Sequence, residues 1–176
     1  MQKIVTSLIL IYIRSVCLIL NMFKKILAGI DGSKLSIEAL DLAADIADQY
    51  DSELFIVSAV EPLPPLAIPV SPIGSTTPSY LVKYREDQQT MYKEIHSKQV
   101  NRLSEKYPKL KINSDIIEGR APNVIKGESK DKDLIVIGHR GKGGLIDLML
   151  GSVAKSVVDT CTVPILVFKK EKQSKE

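Results

Sequence analysis

Between Asp133 and Val158 the chain passes from a short apolar run into a glycine-studded loop and out into a helix-like stretch. The order is Asp133-Leu-Ile-Val-Ile-Gly138-His-Arg-Gly141-Lys-Gly-Gly144-Leu-Ile-Asp-Leu-Met-Leu-Gly151-Ser152. Leu134 to Ile137 has the length and composition of a buried strand, and Gly138 stops it. Gly151-Ser152 then opens an apolar-periodic segment, Val153 to Val158. Strand, glycine loop and helix in succession restrict the chain to α/β architectures. The same arrangement has a chemical use. The first N–H groups of a helix lack intrahelical partners, and the helix dipole adds partial positive charge there. Glycines admit close backbone approach and positive φ. Together these features can hold a phosphate or another anion. Two readings stand on these residues: glycines that cradle a phosphate, and glycines that only make turns beside a capping Ser152.

The rest of the chain repeats the α/β pattern. Lys25 to Ile30 reads as a buried strand ended by Asp31-Gly32-Ser33. Leu35, Ala39, Leu40, Ala43, Ile46 and Ala47 recur on a helical period over about Lys34 to Tyr50. Leu54 to Val60 is a second apolar strand. Pro62 to Ser79 carries Pro62, Pro64, Pro65, Pro69, Pro72 and Pro78 and is expected to be a loop, either covering a site or making a surface excursion. Ser79 to Tyr107 is polar and helical in pattern, with Leu81, Tyr84, Met91, Ile95 and Leu103 as core-facing candidates. His96, set among Lys and Gln, reads as a solvated surface residue. Lys111 to Glu118 alternates like a partly exposed edge strand. Pro122 suits the first turn of a short helix from Asn123 to about Ser129. The fourth strand, the glycine loop and a helix from about Val153 to Cys161 follow. Pro164 to Phe168 is a fifth strand. The sum is one doubly wound α/β domain.

Composition bounds the function classes. The chain has 176 residues, 44% of them hydrophobic and 26% charged, enough for one globular domain with its own core. The formal net charge of +3 gives no nucleic-acid footprint. Cys17 and Cys161 define neither a disulfide framework nor a metal site, and Cys161 reads as a small buried apolar residue. His96 and His139 are isolated, which disfavours a zinc centre. Residues 1–21 form an apolar extension. As a helix, Ile4 to Leu20 spans about 25 Å, short of a ~30 Å hydrocarbon core, and it contains Arg14. A membrane anchor, a signal peptide and a start codon placed too far upstream of Met22 are the readings, and the last is expected. The expected organisation is thus an extension at 1–21, a domain at 22–170 and a charged tail at 171–176, in a cytoplasmic protein.

Ligands of open parallel sheets sit beyond the carboxyl ends of the strands, where the connections diverge. With strand order 3-2-1-4-5, Asp31 at the end of strand one and Gly138 at the end of strand four share one crevice. Asp31 can then accept a ribose hydroxyl, hold a metal ion, or cap the helix that starts near Ser33. There is no G-x-x-x-x-G-K-[ST] motif, no G-x-G-x-x-G after strand one and no G-x-S-x-G elbow. His139 has no evident orienting partner, so no catalytic residue is assigned.

The loop residues Gly138, Gly141, Gly151 and Ser152 fit G-x2-G-x9-G-[ST], and in this the chain resembles the universal stress proteins. The opening Lys25-Ile-Leu-Ala28-Gly29-Ile-Asp31-Gly-Ser33 and the ending Val163-Pro-Ile-Leu-Val-Phe168 resemble the same family, so the likeness runs from about Met22 to Lys169. The resemblance implies a three-layer α/β fold of the adenine nucleotide alpha hydrolase type, with five parallel strands in order 3-2-1-4-5. It implies a homodimer paired through the fifth strand, and ATP, with Mg or Mn, as ligand. By position, Ala28, Gly29 and Asp31 belong to the nucleotide site, with Asp31 near the ribose and phosphates. Ala59 matches the position whose backbone recognises adenine. Gly138 and Gly141 line the ribose and phosphates, and Arg140 and Lys142 in the same loop either reach phosphate or are solvated. Gly151, Ser152 and Val153 present amides to the phosphates. The function implied is an ATP-binding regulator of stress response, acting on a protein partner and hydrolysing ATP slowly at most. The alternatives are a metal-assisted ATPase or phosphoryl transferase using Asp31, and a nucleotide-free interaction module.

Overall fold

A computed structural model describes residues 23–62, 79–141 and 150–170. The elements are β1 (Lys25–Gly29), α1 (Lys34–Gln49), β2 (Glu53–Val60), α2 (Ser79–Lys106), β3 (Ile112–Glu118), α3 (Ala121–Glu128), a 3-10 turn (Ser129–Asp131), β4 (Leu134–Gly138), α4 (Ser152–Thr160) and β5 (Ile165–Phe168). All pairings are parallel and the order is β3-β2-β1-β4-β5. The inner strands are continuous apolar runs because helices cover both faces of the sheet.

Strand alternation divides the core in two. Ile26, Ala28, Leu54, Ile56, Leu134 and Val136 point to one face, against Ala39, Leu40, Ala43, Ala44 and Ala47 of α1 and Leu103 of α2. Leu27, Val57, Ile135 and Ile137 point to the other, against Val124 and Ile125 of α3 and Ala154 and Val157 of α4. The alanine stripe lets α1 lie close to the central strands, and Leu40 is fully buried beneath it. Cys161 is half-buried against the second core.

Helix ends follow local chemistry. Ser33 caps α1, its Oγ accepting from the Ser36 N–H at 3.3 Å. Pro122 sits in the first turn of α3, where no intrahelical N–H is needed. α4 begins one residue earlier than expected: Gly151 is its N-cap and makes no side-chain cap bond. Ser152 is therefore the first helical residue rather than a capping hydroxyl, because Gly151 already has the extended backbone of a cap, at φ −61° and ψ 152°.

α2 also departs from expectation. Its buried residues are Tyr92, His96, Gln99 and Leu103, which share one helical face, while Tyr84 is exposed. His96 is thus no surface residue. Its sequence neighbours are polar, but the helical period turns it onto β2 and β3, where two serines satisfy both ring nitrogens. The extension at 1–21, the Pro-rich stretch from 63 to 78, Leu81's side chain, Lys142 and the tail at 171–176 lie outside the described residues. No described helix is long and apolar enough to cross a membrane.

Candidate functional site

β1 and β4 are neighbours whose connections leave toward opposite faces, β1 into α1 and β4 into α4. Diverging connections open a crevice at the strands' carboxyl ends. A cleft of about 900 Å³ lies there, with Gly29, Asp31, Ala59, Gly138, Arg140, Gly141, Gly151, Ser152 and Val153 all in its wall. Of the residues singled out from the sequence, Ala28 stands apart. Its side chain is 1% exposed and packs into the core under α1, since alternation along β1 turns it away from the cleft.

The glycines serve close approach. Positive φ among the described glycines occurs at Gly32 and Gly119, and not at Gly138, Gly141 or Gly151. A Cβ on Gly141 would sit 2.3 Å from Asp31 Oδ2, so loop and carboxylate touch. A Cβ on Gly138 would meet the carbonyl group of Leu35 in the first turn of α1 at 3.3 Å. A Cβ on Gly151 would lie 3.0 Å from the His139 carbonyl oxygen. The loop is closed at its base by two backbone bonds. His139 N–H donates to Phe168 O at 2.8 Å, and Gly151 N–H donates to His139 O at 2.8 Å. This second bond corrects one expectation: the Gly151 amide is engaged within the loop and does not face a ligand. The first α4 amide with an intrahelical acceptor is that of Lys155, which donates to Gly151 O. The N–H groups of Ser152, Val153 and Ala154 therefore have no acceptor within the helix, and all three residues line the cleft.

The polar groups of the cleft divide by charge. Arg140 is 8% exposed and joins the α4 amides, a combination suited to phosphate. Asp31 Oδ1 accepts from the Ser33 N–H at 2.9 Å, which fixes the carboxylate two residues ahead of the Ser33 cap. Asp31 thus supports the cap without being it. Glu61 and Tyr92 line the same cleft. Burial pushes the Tyr92 phenol above its ordinary range, and the charges of Asp31, Glu61 and Tyr84 push it further. Val57, Ala59, Ile125, Ile137 and Leu150 supply apolar wall for a flat ring. Tyr92, Glu61 and Ser36 escaped the sequence reading. Tyr92's signal was its spacing of four and seven residues from His96 and Gln99, and Glu61's was its place two residues beyond Ala59. His139 is 9% exposed, its Nδ1 lacks a hydrogen-bond partner, and it is not part of the cleft wall. No group of three potential metal ligands occurs among the described residues.

Residues 22–169 match the model of the universal stress protein family. The chain belongs to the universal stress protein family. A universal stress protein of Methanocaldococcus jannaschii is 35% identical over 155 residues, covering 87% of this chain and 86% of its relative. Among solved structures, the universal stress protein UspA from Lactobacillus plantarum superposes with a TM-score of 0.70 at 20% identity, over 84% of this chain and 98% of that one. A universal stress protein solved in complex with cAMP matches with a TM-score of 0.60 at 20% identity, over 84% of this chain and 98% of that one. One from Archaeoglobus fulgidus, solved in complex with dAMP, matches with a TM-score of 0.57 at 19% identity, over 84% and 99%. At these identities the structural likeness establishes a shared fold. The strand order of this universal stress protein is the one its sequence led us to expect.

Proposed function

We propose that this universal stress protein binds ATP in the cleft between β1 and β4 and works as a homodimeric regulator whose partner reads the nucleotide state. The observation that carries the reading is the convergence of the Ser152, Val153 and Ala154 amides and Arg140 on the cleft that also holds Asp31. A triphosphate suits the amides and the guanidinium. A ribose hydroxyl suits the Asp31 carboxylate, and adenine suits the apolar wall near Ala59. Relatives of the same fold solved with cAMP and dAMP support an adenine nucleotide. Mg or Mn, arriving on the triphosphate, would supply charge neutralisation, and the Asp31 carboxylate in the cleft wall could help to hold it.

The homodimer is supported by β5. It is the outermost strand on its side of the sheet, hydrogen-bonded to β4, and Ile165 to Phe168 are half-buried. An apolar edge strand is a template for pairing with a second copy. Titration calorimetry of the full chain with ATP, ADP, AMP and cAMP tests the ligand. We expect one site per chain and the tightest binding for ATP. Heat absent with all four refutes the reading. Asp31 beside Gly141 also favours a second reading, slow metal-assisted ATP hydrolysis. Turnover above background that Asp31→Asn abolishes, with binding only weakened, would select it.

A further inference from the structure

The buried imidazole of α2 joins three elements. His96 is 4% exposed. Its Nε2 lies 2.7 Å from Ser58 Oγ on β2, and its Nδ1 lies 2.6 Å from Ser114 Oγ on β3. Ser58 Oγ in turn lies 2.7 Å from the carbonyl oxygen of Ile30, the residue before Asp31. A hydroxyl has one proton to give. The Ser58 proton goes to the Ile30 carbonyl, so Ser58 accepts from His96, and Nε2 carries the hydrogen. In the neutral ring Nδ1 is then the acceptor, and Ser114 donates to it. Three hydrogen bonds thus run in one direction, from Ser114 through His96 and Ser58 to the end of β1. Bonds aligned in this way polarise one another. Tyr92, one turn ahead of His96 on α2, lines the cleft, as Asp31 does.

We propose that His96 is a positioning residue for the nucleotide cleft, and that its protonation loosens the relay and weakens nucleotide binding. The proposal rests on the reading of the cleft as a nucleotide site. A protonated ring donates from both nitrogens. Ser114 must then turn from donor to acceptor, and a charge is left buried against β2 and β3. The remedy open to the protein is to move α2 outward, which takes Tyr92 with it and draws the ring away from Ser58 and Ser114. The groups around the ring define the switch. β2 and the end of β1 present Ser58 and the Ile30 carbonyl, which do not titrate. α2 itself presents Tyr92 and Gln99 on the same face. Asp115 on β3 favours the proton, and burial opposes it more strongly, so His96 ionises below its ordinary range. The relay is therefore intact at neutral pH and opens in acid. By linkage, nucleotide binding near the His96 pKa expels a proton.

The test compares the full-length protein with His96→Gln, whose side-chain amide can still donate to Ser58 but takes no proton. ATP affinity is measured at about pH 7.5 and about pH 5 for both. The terminal phosphate of ATP itself titrates, so the signal is the ratio between the proteins. We expect affinities within about threefold at the higher pH, and a loss on acidification roughly tenfold larger for the parent. Calorimetry of cAMP binding to the parent, in two buffers of different ionisation enthalpy, gives a reading that does not need the variant. Proton release on the acid side supports the relay, since cAMP holds a fixed charge there. Equal pH dependence in the two proteins, or no proton release, overturns the relay while leaving the cleft as the nucleotide site. Absence of binding by the parent at the higher pH overturns the nucleotide reading and this proposal with it.

Discussion

The contact between Gly141 and Asp31 sets up a quantitative test of the site. An alanine Cβ at Gly141 would stand 2.3 Å from Asp31 Oδ2 and 3.3 Å from its Cγ. An unstrained carbon–oxygen contact needs about 3.3 Å, so the carboxylate must move by roughly 1 Å. Gly141 is outside the left-handed region, so the whole penalty comes from this contact. Asp31 has little freedom to yield, because Oδ1 is tied to the Ser33 N–H at 2.9 Å. A shift of that size takes the bond beyond hydrogen-bonding range. Loss of a bond to a charged group costs about 1.5–3 kcal/mol, and Gly141→Ala should lower stability by that amount in urea titrations. In an Asp31→Ala background the obstruction is gone, and the same change should cost less than about 0.5 kcal/mol. ATP affinity of Gly141→Ala should fall roughly ten- to hundredfold, because the displaced carboxylate would separately lose its hydrogen bond to the ribose, worth about 1.5–3 kcal/mol. An equal stability penalty in both backgrounds would refute the reasoning, because it would mean that Asp31 is not what the new methyl meets.

Other predictions draw on different parts of the molecule. Gly127→Ala in α3, where a Cβ meets nothing within 4 Å, should raise stability by about 0.5–1 kcal/mol in the same titrations. Leu40→Ala, at a fully buried position under α1, should cost about 2–5 kcal/mol. Arg140→Gln should weaken ATP binding roughly ten- to hundredfold with the fold intact by circular dichroism, since a buried guanidinium would be lost from the phosphate end. His96 ionises below its unfolded value of about 6.5, so the unfolded chain takes up that proton first. Its contribution is therefore complete above that pH and declines as pH falls below it, and His96→Gln should flatten this limb of a stability–pH profile. Asp131 is held down to about 2, first by its bond to Lys132 and then by Lys25. That small, solvent-screened contribution is present above the ordinary carboxylate range and fades toward pH 2, so Asp131→Asn should matter little at neutral pH.

Much of the fold was legible because it depends on patterns that sit in one stretch of chain. Leu134 to Ile137 and Leu54 to Val57 are apolar without alternation, as strands of a doubly covered parallel sheet are. The glycine spacing located the loop, and Asp31 followed from its place after β1. What escaped notice depends on approach between distant segments. The sequence around His96 is polar, and nothing in it announces Ser58 or Ser114, 38 and 18 residues away. Tyr92 and Glu61 become cleft residues through the packing of α2 beside the end of β2. The use of Gly151 N–H on His139 O is a detail of loop closure that spacing does not encode, and it leaves the amide role to Ser152, Val153 and Ala154. Ala28 lies within the opening motif, yet strand alternation gives its side chain to the core.

The central claim concerns particular amides, and amide-resolved NMR titration of the full chain with ATP addresses it directly. The largest shifts should fall on Gly138, Gly141, Ser152, Val153 and Ala154, with Asp31 and Ala59 moving and the far end of the sheet near Lys25 and Glu53 still. Saturating shifts centred elsewhere, with the Ser152 to Ala154 amides unmoved, would contradict the account.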